Sequence, residues 1–449
     1  MYFCSKITDI IMDSKELYAI YEQHPVITTD SRECPMGSIF IALKGDSFDG
    51  NQFAAQALEK GCAVAIVDDE QVYNGYKGEG RMILVPDTLQ AYKDMAREHR
   101  RRFDIPVIGI TGTNGKTTTK ELVRAVIAER YDEMATEGNY NNDVGVPKTL
   151  FRLNVQSEIA IIEMGASHPG DIKTLVETAE PTCGLITNLG KAHLQGFGSL
   201  EGVIRTKGEL YDFLATQADS VIFVNADNEH LMGILPKGVK TECYTQDLNK
   251  AGASVYGQIV ACDPFLRLRW RAGESGDWHE VATHLIGSYN LDNALAAVTV
   301  GLHFEVTPEQ ICHALENYVP SNNRSQLTET EHNHLIVDAY NANPTSMAAA
   351  LDNFCLMDVA PKMAILGEMR ELGDSSAEEH RRVVERLKEC PFDEVWLVGK
   401  EFKDIDCPYR KFDDVEQVKA AIAAARPEGR YILIKGSNGT RLFQLPELL

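Results

Sequence analysis

Residues 105–121 read "IPVIGITGTNGKTTTKE": a short apolar run, a turn with two glycines, then Lys-Thr-Thr leading into "KELVRAVIAER", whose apolar residues recur at helical spacing. A strand feeding such a turn and then a helix points backbone amides and the helix amino terminus at one spot. An anion there is stabilised by both the donors and the helix dipole. Gly112, Thr113, Asn114 and Gly115 would form the cradle, with Lys116 reaching the outer phosphates of a nucleotide, Thr117 ligating magnesium and Thr118 beside it. An isolated G-x-x-G is often only a turn, but the strand before it and the helix beyond favour phosphate binding. The spacing is not the common G-x-x-x-x-G-K-[ST], because Ile110 stands where the first glycine belongs.

Continuous apolar runs follow at "EIAIIEMG", "CGLITN" and "SVIFVN", as expected for strands buried on both faces of a mostly parallel sheet. Proline and polar amides break the pattern at "NYVPSNNRSQ". Beyond it, "HLIVDAY", "KMAILGE", "EVWLVGK" and "YILIKGS" alternate with helical segments, a second doubly wound unit. The first hundred residues mix short runs ("SIFIAL", "CAVAIVDD", "RMILVPD") with a helix around "QFAAQALEKG" and end in a charged run near Arg102. The expectation is an α/β protein of three domains: residues 1–103, a central P-loop ATPase-like parallel-sheet domain over 104–320, and a Rossmann-like domain over 321–449.

A chain of 449 residues with 44 basic and 66 acidic side chains carries a net charge of -22, which repels polyanions and argues against a nucleic-acid partner. No basic start with an apolar run and cleavage site opens the sequence, and no run is long enough to span a bilayer. A cytoplasmic chain without stable membrane insertion is expected. Ten cysteines lie singly, with no C-x-x-C pair, so reduced thiols are expected rather than disulfides or a metal knot.

Other residues suit the chemistry of a phosphate loop. Glu163 ends an apolar run, where a carboxylate faces the same crevice as the loop; such a residue is commonly a solvated strand end, but beside this loop it reads as a metal ligand. His193 follows the run "CGLITN" and is equally a surface residue or a ligand. Lys207, in "IRTKGELYDF", would pass for an exposed helix lysine. Asn290 and Asn293 open an alanine-rich helix, where amides serve as caps or read a base edge. Asp338 ends a strand, where it accepts from ribose hydroxyls or belongs to an Asn/Pro turn.

Jointly these stretches resemble the Mur ligase family, ATP-dependent enzymes that add amino acids to the peptidoglycan precursor. "GTNGKTT" is that family's own phosphate loop, shared with folylpolyglutamate synthases and cyanophycin synthetases. "TDSRECPMGSIFIALKGDSFDGNQF" looks like the family's uridine-nucleotide domain. "GNYNNDVGVPKTL", "DAYNANPTSM" and "LGEMRELGDSSAEEH" look like the members that act on the tripeptide stem. The resemblance implies ligation of D-alanyl-D-alanine to UDP-N-acetylmuramoyl-tripeptide through an acyl phosphate, with ATP, two Mg²⁺ ions and a monomeric chain.

Residue by residue, it makes Ser31, Arg32, Lys44, Asp49 and Gly50 uridine-nucleotide contacts and sets Asn141 and Asn142 along the path to the stem peptide. Thr117, Glu163, His193 and Lys207 become metal-site residues, with Lys207 matching a lysine that is carbamylated in the family. Asn290 and Asn293 match adenine contacts, Asp338 a ribose contact and Arg324 the arginine directed at the transferred phosphoryl. Lys435, Gly436 and Ser437 match a motif that closes over the substrates. Ser167, Asp171, Asn323 and Asn438 depart from the family pattern, and the last puts one contact near the dipeptide site in question. Rival readings are the family member adding the third, diamino-acid residue, a folate-type ligase, and a nucleotide-dependent switch without ligase chemistry.

Overall fold

The computed structural model describes residues 12–45, 47–76, 80–320 and 326–449. Arg324 lies outside the described residues. The chain gathers into two compact units: one takes everything up to Ile105 together with Thr136–Ser157 and Thr174–Glu180, the other the remainder to Leu449.

In the first unit, β1 (Ile27–Thr28), β2 (Ile39–Ile41), β3 (Val64–Val67) and β4 (Met82–Leu84) form a parallel sheet in chain order. Helices α1 (Ser14–Gln23), α2 (Ala54–Lys60) and α3 (Thr88–Arg100) cover its two faces. The pleat sends alternate side chains to opposite sides. Ile39, Ile41 and Ile66 pack with Leu17, Tyr21 and Met95 from α1 and α3, while Phe40, Ala65 and Val67 pack with Ala54, Ala57 and Leu58 from α2.

The second unit holds two larger sheets. The central one comprises β5 (Val107–Thr111), β6 (Glu133–Ala135), β7 (Ile159–Glu163), β8 (Cys183–Ile186), β9 (Val221–Asn225), β10 (Lys240–Thr245), β11 (Val255–Cys262), β12 (Phe265–Ala272) and β13 (His279–Ile286). Its order is β13-β12-β11-β10-β9-β8-β5-β7-β6. Strands from β6 to β11 run parallel, and β5, β7, β8 and β9 are buried along their whole length. Helices α4 (Lys116–Ala128), α5 (Leu200–Leu214) and α6 (Asn290–His303) follow the sequence periodicity. Valines and leucines of α4 and α6 join Ile108, Ile110 and Leu185 in one core.

The antiparallel pairing of β11, β12 and β13 was not expected from a mostly parallel reading. In β12, Leu266, Leu268 and Trp270 are buried while Arg267 and Arg269 are exposed, the alternation of a sheet with one wet face.

The remaining sheet, of β14 (Gln326–Glu329), β15 (His334–Asp338), β16 (Lys362–Gly367), β17 (Glu394–Val398), β18 (Arg410–Phe412) and β19 (Tyr431–Lys435), has the order β14-β15-β19-β16-β17-β18. Only β14 pairs antiparallel. Helices α7 (Pro344–Leu356) and α8 (Ser376–Lys388) pack on one face and α9 (Val415–Ala424) on the other, giving the expected doubly wound layers. One expectation is corrected here. Cys355, at the end of α7, and Cys390, just past α8, are joined as a disulfide with Cα atoms 5.5 Å apart. Chain spacing hides this pairing, because it arises only when the two helices pack side by side.

Candidate active site

The phosphate loop sits at the carboxyl end of β5, between β8 and β7, the crevice where open α/β sheets place their ligands. Gly112 (φ 144°) and Gly115 (φ 78°) both adopt conformations that suit glycine. Space requires them too: a Cβ at Gly112 would lie 2.0 Å from Thr187 Oγ1, and one at Gly115 would lie 2.6 Å from Asn293 Oδ1. Gly115 is the N-cap of α4 and brings no side-chain acceptor to its first turn, which leaves that turn suited to an external anion. Lys116 curls over the loop and donates to the carbonyls of Gly112 (2.9 Å) and Thr113 (3.2 Å).

Asn188, beyond β8, staples the loop in place. Its carbonyl accepts from Thr113 N (2.9 Å), its Oδ1 from Asn114 N (3.0 Å), and its Nδ2 donates to Asn114 O (3.0 Å). Thr113 Oγ1 donates to Gly190 O (3.2 Å). Thr118 lies half-buried in the first turn of α4.

Glu163, the last residue of β7, is 1% exposed, and Thr117 Oγ1 donates to its Oε1 at 3.1 Å. A hydroxyl and a carboxylate oxygen side by side are hard donors of the kind Mg²⁺ takes together with phosphate oxygens and water. Among the described residues no three His, Cys, Asp or Glu side chains gather as a self-sufficient metal cage. The Thr117 hydroxyl and the Glu163 carboxylate would fit a magnesium ion that takes its other ligands from phosphate and water.

Lys207 is not an exposed helix lysine. It lies on α5 at 2% exposure, with Nζ 5.5 Å from the centre of the Phe197 ring. Burial, helped by the nearby Lys116 cation, pushes its ammonium down to about 7. His193 is half-buried on left-handed backbone (φ 49°), its ring edge-on to Phe197 at 6.2 Å. Burial holds its imidazole below the usual value; Lys116 and Lys207 push the same way and the Glu371 carboxylate opposes them. Lys116, His193 and Lys207 thus share one electrostatic neighbourhood.

The C-terminal sheet region reaches into the same neighbourhood. Asn343 caps α7 and also donates through Nδ2 to Asn114 Oδ1 (2.7 Å). His193 Nδ1 meets the Glu371 carboxylate, and Lys191 Nζ pairs with Glu379 Oε1 at 3.2 Å. Asp338 and the fully buried Lys435 bind each other across β15 and β19. Ser437 Oγ donates to Glu368 O (2.7 Å). Gly436 packs so close that a Cβ would sit 2.9 Å from Gly367 Cα.

Asn290 and Asn293 do not cap α6, whose N-cap is Tyr289. Asn290 Nδ2 donates to Ile286 O (2.7 Å), Asn293 Nδ2 to Asn290 Oδ1 (2.8 Å), and Thr119 Oγ1 to Asn293 Oδ1 (3.0 Å), so the pair braces α4 behind the loop. In the first unit, Lys44 pairs with Asp68 (2.8 Å), and Asn51 ties Asp68 to Asp49 beside Gly50. Arg32 chelates Asp30, and Ser31 O accepts from Lys60 (2.6 Å). Asn141 and Asn142 belong to this unit, and Asn142 Oδ1 accepts from Gly145 N (2.8 Å). The sequence places Asn188 with His193 just past a buried run and gives it no role. Asn343 and Glu371 lie within quoted motifs, but nothing local says which side chains they meet.

Three family models match in chain order: the Mur ligase family catalytic domain over residues 25–100, the Mur ligase middle domain over 110–301, and the Mur ligase glutamate ligase domain over 323–438. The chain is similar to the UDP-N-acetylmuramoyl-tripeptide–D-alanyl-D-alanine ligase of Bacillus subtilis (strain 168), at 32% identity over 95% of this chain and 93% of that protein. Among solved structures it is similar to MurF from Acinetobacter baumannii, at 29% identity and a TM-score of 0.86, covering 96% of this chain and 97% of that one. It is also similar to MurF ligase from Thermotoga maritima in complex with ADP, at 26% identity and a TM-score of 0.84, covering 95% and 97%.

Proposed function

The chain belongs to the Mur ligase family, and from that premise we propose that it joins D-alanyl-D-alanine to UDP-N-acetylmuramoyl-tripeptide with ATP, releasing ADP and phosphate. The observation that carries this reading is the convergence of Lys116, Glu163, His193 and Lys207 around one phosphate loop in a chain so like ligases of that name.

A carboxylate is a poor electrophile at neutral pH. One of its oxygens attacks the γ-phosphorus, ADP leaves, and the acyl phosphate is ready for the amine of the dipeptide. The amine attacks the carbonyl carbon, loses a proton and expels phosphate. Lys116 moves from the loop carbonyls to the equatorial oxygens, joined by Arg324, and stabilises charge as it shifts to ADP. The first turn of α4 cradles the phosphates with Gly112–Thr118, and Asn188 keeps that cradle in shape.

We assign Thr117, Glu163, His193 and Lys207 to two Mg²⁺ ions, which when bound would neutralise phosphate and carboxylate oxygens. Lys207 serves there as a carbamate. Its amine, neutral in good part at pH 7, adds to carbon dioxide and loses a proton, which turns a buried cation into an anionic oxygen ligand; the lowered ammonium supports this step. Asn290, Asn293 and Asp338 are assigned to the adenosine, Lys435–Ser437 to closure over the substrates, and Ser31, Arg32, Lys44, Asp49, Gly50, Asn141 and Asn142 to the uridine-nucleotide peptide.

The division into residues 1–103, 104–320 and 321–449 is supported by one main sheet in each. With this reading go a cytoplasmic, monomeric chain and no nucleic-acid partner, the last supported by the net charge of -22. Among the described residues no helix is long and apolar enough to cross a membrane. The test is ADP release with UDP-N-acetylmuramoyl-tripeptide and D-alanyl-D-alanine, each then omitted or exchanged for a diamino acid or a shorter stem. ADP should form only with the matched pair. An equal rate without the dipeptide would point to a switch, and turnover with a dipeptide stem and a diamino acid would move the chain to the neighbouring ligase step.

A further inference from the structure

We propose that Glu371 is a positioning residue for this ligase: reaching from the C-terminal sheet region, it holds His193 by Nδ1 and so leaves Nε2 as the nitrogen turned to the metal and phosphates. The proposal rests on the assignment of His193 to the metal site.

The contact is built from both sides. His193 Nδ1 meets the Glu371 carboxylate, and the same residue's carbonyl accepts from Gln195 N at 3.2 Å, so Glu371 grips the loop by side chain and main chain together. Both partners stand in left-handed backbone, His193 at φ 49° and Glu371 at φ 62°. That conformation is uncommon for such residues and persists where surrounding contacts enforce it. Two further bonds join the same two sheet regions: the Lys191–Glu379 pair (3.2 Å), two residues before His193, and the Asn343–Asn114 bond (2.7 Å) on the phosphate loop. Behind the imidazole, Phe197 closes the pocket with its ring edge-on to His193, and the same ring carries Lys207 Nζ 5.5 Å from its centre.

An imidazole whose Nδ1 is paired with a carboxylate has its ring orientation constrained, and its other nitrogen is left as the ligand. Because Glu371 lies beyond β16, in another sheet from His193, the histidine is fully oriented only when the two sheet regions are in contact. Metal affinity and domain closure are thereby linked.

The experiment uses the full chain with ADP and Mn²⁺ as a paramagnetic stand-in for Mg²⁺, counting free Mn²⁺ by electron paramagnetic resonance. Glu371→Ala should weaken Mn²⁺ binding about tenfold or more. Glu371→Gln, which keeps an acceptor of the same shape, should lose less, and it carries the test if the alanine variant melts early. In a His193→Ala background, Glu371→Ala should cost nothing further. With substrates, kcat should fall while KM for the dipeptide stays within about twofold, as expected of a group acting on the transferred phosphoryl. Wild-type Mn²⁺ affinity in both Glu371 variants, or the same loss once His193 is gone, would overturn the proposal. If wild type makes no ADP with the two substrates, the reaction assignment falls, yet the Mn²⁺ comparison still decides Glu371.

Discussion

In the phosphate loop, the groups assigned to a nucleotide come from consecutive residues, Gly112 to Thr118, shaped by two glycines and a helix start. Across the crevice, Asn188, His193 and Lys207 are spread along a loop and a helix and take their properties from elsewhere: Lys207 from burial, His193 from Glu371. Both regions place polar groups beside the expected phosphates. Local backbone geometry does so in one, and packing that tunes each charge does so in the other. The loop should therefore fail abruptly when its chemistry is removed, whereas the facing stretch should respond to pH, carbon dioxide and distant substitutions.

The largest effect is expected from Lys116→Ala. Turnover should drop by about 10³-fold or more with the melting temperature nearly unchanged, since the half-buried side chain donates to carbonyls of its own loop. ADP release close to wild type would remove the loop from the chemistry.

Lys207→Met sharpens the contrast, because it should cost on the order of 10²-fold in rate without loss of stability. For the unmodified amine the sign is clear: the folded ammonium titrates near 7 against an unfolded 10.5, so between those values the unfolded chain holds the extra proton and wild type gains stability relative to the variant as pH rises. Activity should follow the neutral amine, about a tenth of it at pH 6 and about nine tenths at pH 8, and added bicarbonate should raise the rate of enzyme prepared free of carbon dioxide. Melting curves and rates at the two pH values check both; an indifferent wild type would leave Lys207 a plain buried cation.

Asn188→Ala joins the two regions, since it removes two side-chain bonds to the Asn114 backbone. A loss of about 1–3 kcal/mol in ATP binding, seen as a raised KM for ATP, is expected. Smallest is Gly115→Ala, with a penalty of about 1–2 kcal/mol for left-handed backbone and the contact with Asn293, read as a lower melting temperature.

The same contrast explains what could be read from the sequence. The strand, turn and helix around Gly115, the buried runs of β7, β8 and β9, and the doubly wound C-terminal layers were all legible because periodicity and glycine spacing are local. Glu163 was legible for its place at a strand end. Lys207 was not: the sequence window makes it an exposed helix lysine, and only the packing around Phe197 buries it. The bracing by Asn290 and Asn293, the staple of Asn188 and the partner of His193 depend on side chains meeting across sheets. The Cys355–Cys390 pairing was hidden for the same reason, and the antiparallel β11–β13 segment is marked by alternation such as "FLRLRWRA" and not by a continuous apolar run.

Activation of the stem-peptide carboxylate by ATP leaves an isotopic trace, read by labelling that carboxylate with ¹⁸O and collecting the phosphate released as D-alanyl-D-alanine is joined. One labelled oxygen should pass into each phosphate and one should stay in the new amide. Unlabelled phosphate, with ADP still formed, would mean that water rather than the carboxylate takes the phosphoryl group, and would contradict an acyl phosphate.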